Sequence, residues 1–126
     1  MSDEIKELIK KLRVIVFRED NLLIAQCLDH NFAVQTPFNE SIEKTLEELN
    51  IRFARMVAAF IIDANENGYQ SPFQYLKETP KYFIEMWDNN FKSKASIIHV
   101  DLREKEAFLS SHEIEATADL LVVNSN

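Results

Sequence analysis

Apolar and polar positions alternate along the first third of the chain and then change period. Residues 13–18 (RVIVFR) and 22–28 (LLIAQCL) are rich in β-branched and other large apolar side chains, and Asp20-Asn21 separates them. That combination predicts a β-hairpin. Residues 33–36 make a short third strand, which Pro37 ends. Beyond Pro37, Ile42, Leu46, Leu49, Phe53, Val57, Phe60, Ile61 and Ala64 recur every three or four positions. This stripe predicts an amphipathic helix over residues 40–64, about 37 Å long at ~1.5 Å per residue. Asn39 or Ser41 is the expected cap, and residues 65–68 end the helix. Glu40 and Glu43 fall in the expected first turn, where the helix dipole favours negative charge.

Weaker periodicities flank this core. Ile5, Leu8, Ile9 and Leu12 predict a short amphipathic helix over residues 3–12, with Ser2 as its cap. Ser71-Pro72 and Thr79-Pro80 each place proline at a helix start, and the second opens PKYFIEMWDNNF. Residues 96–102 (SIIHVDL) alternate like a strand, 103–110 suit a short helix, and 119–123 (DLLVV) a terminal strand. The sum is a single α+β domain: a small antiparallel sheet in β-β-β-α-β order, packed by one long helix, plus extra short helices. Its core covers about 12–68 and 96–123, and an aromatic-rich helical insertion covers about 72–92.

Composition changes the picture at three points. Gly68 is the only glycine in 126 residues, so turns that need a positive φ fall to Asn and Asp, as at Asp20-Asn21, His30-Asn31 and Asn89-Asn90. A net charge of −7 argues against binding a phosphate backbone, which needs clustered Lys and Arg. An acidic surface suits a basic protein partner, although charge of this size also serves solubility alone. The lone Cys27 cannot form an intramolecular disulfide and reads as a small core residue, with a reducing cytoplasm as the default setting. MSDEIKELIKKL lacks the apolar stretch of a secretory leader, and the longest apolar run, residues 56–62, is too short to span a bilayer.

Four stretches carry a family resemblance. RVIVFRED, LLIAQCLDH, AVQTPFNESIEKTLEEL and SIIHVDL, taken in order, resemble the HicB-like antitoxin family. There they match a first strand with an acidic exit, a second strand entering an acidic loop, a short third strand leading into a Glu-rich helix start, and a last core strand. The resemblance covers about residues 12–68 and 96–102. It implies a partial ribonuclease-H-like fold and a non-catalytic protein that masks a small basic RNA-cleaving toxin of the HicA type. On that implication Glu19, Asp20, Asp29, Glu40 and Glu43 would contact the toxin's basic face. The sequence departs from the family pattern at Asn21, where glycine is usual, and at His30-Asn31, where Pro-Gly is usual. The chain also stops after DLLVVNSN, which leaves no room for the DNA-binding module of many members, so operator binding is not carried over.

The residues give no catalytic constellation. Two-metal nuclease chemistry needs several convergent carboxylates, one of them central on the first strand, and residues 13–18 have no acid in their interior. Asp20, Asp29, Glu43 and Asp101 are the carboxylates to consider, and each reads more simply as a turn former, a dipole partner or a solvated charge. His99 and Asp101 share a strand face and suit a surface hydrogen bond. Neither a metal ligand set nor a phosphate loop is visible, and no cofactor is expected. The aromatics Phe73, Tyr75, Tyr82, Phe83, Trp87 and Phe91 suit either a second small core or an exposed anchor centred on Trp87. Free sheet edges favour a homodimer or larger homo-oligomer, with the strand around Gln35 as the edge. The alternative to an antitoxin is therefore a stand-alone homo-oligomeric regulatory or structural domain.

Overall fold

Strand burial alternates where one face meets water and is continuous where both faces are covered. In the computed structural model, which describes residues 9–92 and 97–123, this rule sorts five strands into a single sheet. β1 (Leu12–Glu19) and β5 (Thr117–Val122) bury consecutive side chains, Val14, Ile15 and Val16 on one and residues 118–121 on the other. They sit together at the centre. β3 (Ala33–Pro37) alternates buried and exposed positions, β4 (Ile97–Asp101) is mostly exposed, and these two form the edges. With β2 (Leu22–Cys27) the order is β3-β2-β1-β5-β4.

The α+β architecture matches the sequence reading, and the sheet is mixed: β5 runs parallel to β1, while every other neighbouring pair is antiparallel. The stretch read from sequence as the last core strand supplies β4, Ile97–Asp101, at the outer edge. The terminal DLLVV segment takes the central slot beside β1, with Val14 level with Leu120. β3, β1 and β5 therefore share one direction, while β4, the first strand after the long helix, runs opposite to β3.

The long helix α1 (Ile42–Asn67) is capped by Ser41, whose Oγ accepts from the Lys44 N–H at 3.2 Å. It ends at Gly68, whose φ of 69° lets the chain turn back onto the Ala64 carbonyl. Its buried stripe is Thr45, Leu49, Phe53, Ala54, Val57, Ala58, Ile61 and Ala64. Ile42, placed on the stripe by periodicity, is instead exposed at the first turn. α1 covers the sheet face that presents Val14, Val16, Leu23, Ala25, Cys27, Val34 and Leu120. Phe32 stacks on Phe53 and Phe73 there, and Phe60 meets both Phe32 and Phe73 edge-on.

A second helix, α2 (Lys81–Lys92), packs on the opposite face, where Trp87 meets Ile15, Leu28 and Leu121. Phe83 stacks on Phe17 at 5.8 Å. The aromatic insertion thus divides by burial. Phe73 joins the α1 core, Phe83 and Trp87 build a smaller core under α2, and Tyr75, Tyr82 and Phe91 face solvent. The helix expected at Ser71-Pro72 is instead a run of turns over residues 72–75. After β4 come a 3-10 turn (Leu102–Glu104) and a short helix α3 (Ala107–Ser111). The predicted N-terminal helix lies mostly outside the described residues, of which Ile9 and Lys10 are helical.

Candidate partner-binding surface

Strand direction decides which acidic residues can act together. The β1–β2 turn brings Glu19 and Asp20 to one end of the sheet. Pro37 pairs with Leu22 at that same end, and the Phe38 N–H donates to the Asn21 carbonyl at 2.8 Å. The segment leading into α1 is thereby tied to the hairpin, so Glu40 and Glu43 share the end with Glu19 and Asp20. Asp20 and Glu40 both adopt left-handed backbone, at φ 54° and 61°. The expectation that Asn and Asp take these turns holds at Asp20, but Glu40 and Glu113 take two more, positions that a β-carbon disfavours. Arg18 lies 4.0 Å over the Phe38 ring and Lys44 pairs with Glu40 at 2.6 Å, so the cluster is acidic with two cations inside it.

Asp29 lies elsewhere. It follows the far end of β2, about 20 Å away for a six-residue strand, and its carboxylate is fully engaged. The Arg13 main-chain N–H donates to Oδ2 at 2.7 Å, while Arg13 Nε and Nη2 donate to Oδ1 at 3.2 and 3.1 Å. Asp29 therefore ties the strand ends together and is not part of the acidic end. Trp87 is 7% exposed and cannot serve as a surface anchor; the exposed aromatics of α2 are Tyr82 and Phe91. Four of the six residues read as partner contacts come together, and Asp29 and Trp87 do not join them.

The far end holds polar pairs that the sequence reading missed. Asp119 is 7% exposed on the central strand β5, opposite His99 on β4 and Arg13 on β1. His99 Nδ1 lies 2.5 Å from Asp119 Oδ1, and Lys11 Nζ lies 3.6 Å from Oδ2. His99 thus pairs across strands with Asp119, not with Asp101 along its own strand. Asp101 instead accepts from Arg103, whose guanidinium holds the carboxyl below its usual range. The one local signal for Asp119 is an acid opening an otherwise apolar strand.

The four carboxylates considered for metal chemistry separate two and two: Asp20 and Glu43 lie at the hairpin end, Asp29 and Asp101 at the other. Among the described residues, no three His, Cys, Asp or Glu side chains are grouped to hold a metal ion. Cys27 is buried, and desolvation pushes its thiol up to about 12, far from the range of a reactive thiolate. No helix among the described residues is long and apolar enough to cross a membrane.

A trough runs between α1 and the free edge of β3. Its first part, about 590 Å³, lies among Pro37, Phe38, Lys44, Glu47, Glu48 and Ile51. The second, about 520 Å³, lies among Ala33, Gln35, Arg55, Met56 and Ala59. Glu48 and Arg52 belong to both. Arg52 bridges the trough, donating Nε to the Glu48 carboxylate at 3.2 Å and Nη1 to the Gln35 carbonyl at 2.9 Å. No protein-family model, no curated protein and no solved structure matches this chain.

Proposed function

We propose that the protein is a non-catalytic binding module of the HicB-like kind, a cytoplasmic antitoxin that covers a small basic RNA-cleaving protein. The observation that supports this reading is the gathering of Glu19, Asp20, Glu40 and Glu43, drawn from two separate segments, at one end of the sheet. In a chain of net charge −7, such an end steers a basic partner in and fixes its orientation. An RNA-cleaving protein presents cations where its phosphate-bearing substrate binds, and an acidic cover competes for that surface.

The test is co-purification with a small basic protein encoded beside this gene, followed by calorimetry across a salt series. Binding should weaken steeply with salt, and reversing Glu19, Asp20 and Glu43 to lysine should weaken it by at least about tenfold. Glu40→Gly isolates charge from folding: glycine accepts φ 61° more easily than glutamate, so this variant should melt no lower while binding less well. Failure of any adjacent basic protein to bind, or binding that ignores these residues, removes the reading. Nuclease activity of the chain itself with Mg²⁺ or Mn²⁺ would replace it with an enzymatic one.

A further inference from the structure

We infer that Asn67 is a site of spontaneous deamidation, which the folded end of α1 holds back and the fraying of that end releases. The single glycine of the chain, Gly68, directly follows this asparagine. Asparagine is a thermolabile residue, and glycine, with no β-carbon, leaves its own main-chain nitrogen unhindered. In the reaction the Gly68 nitrogen attacks Asn67 Cγ, so a new N–C bond forms and the Cγ–Nδ2 bond breaks. The carboxamide nitrogen departs as ammonia, taking the Gly68 amide proton. Water then opens the cyclic imide at either carbonyl and leaves aspartate or isoaspartate. The turn itself requires the labile pair. A β-carbon at position 68 would meet nothing within 4 Å, but φ there is 69°, a left-handed backbone that favours glycine.

Nucleophile, electrophile and leaving group are each restrained. Asn67 is the last residue of α1, and closing a five-membered ring onto its Cγ requires it to leave helical ψ. The Gly68 N–H is donated to the Ala64 carbonyl, which also accepts from the Tyr69 N–H at 2.9 Å. Asn67 Nδ2 lies 2.9 Å from the Asp63 carbonyl oxygen and 2.9 Å from Asp63 Oδ1. Donation to that carboxylate raises electron density on the carboxamide and makes Cγ a poorer electrophile. Asp63, Asn67 and Gly68 are all exposed, so water and base reach the site whenever the last turn opens. Either product weakens the helix end. Aspartate at position 67 sets a second carboxylate against Asp63 at i,i+4, at the negative end of the dipole, where the last turn carries no basic side chain. Isoaspartate also lengthens the main chain by a methylene and carries the Gly68 N–H away from the Ala64 carbonyl.

The experiment is a time course of the full chain at mildly alkaline pH, folded and in concentrated urea, read by peptide mapping with mass spectrometry. Deamidation at Asn67 should run at least about tenfold faster in the unfolded chain than in the folded one. Asp63→Ala should speed the folded chain's reaction about threefold, the order of factor that one exposed hydrogen bond carries. That variant removes a carboxylate from the helix C-terminus, so its circular dichroism melt should come no lower than the parent's, and a folding defect cannot account for the faster rate. Asn67→Asp reproduces one product and should melt about 2–4 °C lower. Equal rates in the folded and unfolded chains overturn the restraint, and an unfolded chain that stays intact at Asn67 overturns the site. An Asp63→Ala rate equal to the parent's overturns the part given to Asp63.

Discussion

The two faces of the sheet are built in different ways. One is covered along its length by a single helix, and its residues join in one apolar cluster running from Ile9 to Leu120. The other is divided. Under α2 it is apolar, with Ile15, Leu28, Trp87 and Leu121, but toward the start of β1 it carries ion pairs, Arg13 with Asp29 and Asp119 with His99 and Lys11. The first face holds the domain together by burial alone. The second gives the region near the start of β1 to specific polar contacts, which define strand neighbours more sharply than they stabilise them.

The sharpest test of this contrast is truncation at the two cores. Phe53→Ala empties a site that is fully enclosed and stacked on Phe32, so unfolding free energy should fall by about 3–5 kcal/mol in urea denaturation. Trp87→Ala acts on the smaller cluster, where one side opens toward the exposed Phe91 ring stacked on Trp87. Its loss should be smaller, about 2–3 kcal/mol, because water can reach part of the cavity. Equal losses, or a larger loss at Trp87, would mean that α2 is as central as α1.

These cores also mark what the chain disclosed before folding. The α1 face was legible because its information is local: a three-four stripe, a serine at the start, a lone glycine at the end. The hairpin was legible for the same reason, since Asp20 supplies the positive φ that its turn needs. The position of β5 was not. Its pairing with β1 joins Leu12 to Ala118, across nearly the whole chain, and no local period encodes which strand becomes a neighbour. The same limit hid the acidic end's true membership. Asp29 and Asp20 flank one strand and look alike in sequence, yet Arg13 claims the first and solvent the second. At Ser71-Pro72 the proline rule misled because Pro72 also suits a turn, and Phe73 is drawn into the α1 core.

The divided face offers a third, weaker test. Asp119 is nearly buried while its partners His99 and Lys11 are largely exposed. Asp119→Ala leaves those partners free to rehydrate, so the cost is the lost charge-assisted bonds alone, about 1–2 kcal/mol. His99→Ala should cost less, because the carboxylate keeps Lys11 close by. A double-mutant cycle between positions 99 and 119 measures their coupling directly. Coupling indistinguishable from zero would mean that the polar half of this face is decoration and that β4 is held by main-chain bonds and Val100.

Asp101 sets the lower limit of the series. Arg103 hydrogen-bonds its carboxylate and lowers its pKa, and solvent screens most of that gain because the pair is largely exposed. A carboxyl with a depressed folded pKa contributes stability above its unfolded pKa, near 3.8, and loses it as pH falls through the lower folded value. Asp101→Asn should therefore leave the melting temperature at pH 7 almost unchanged, because asparagine still accepts the Arg103 N–H that caps the 3-10 turn. The difference between variant and parent should narrow further below pH 4, where the parent carboxyl itself begins to protonate. A variant that instead diverges from the parent on acidification would assign Asp101 a buried role and move the boundary between the two halves of this face.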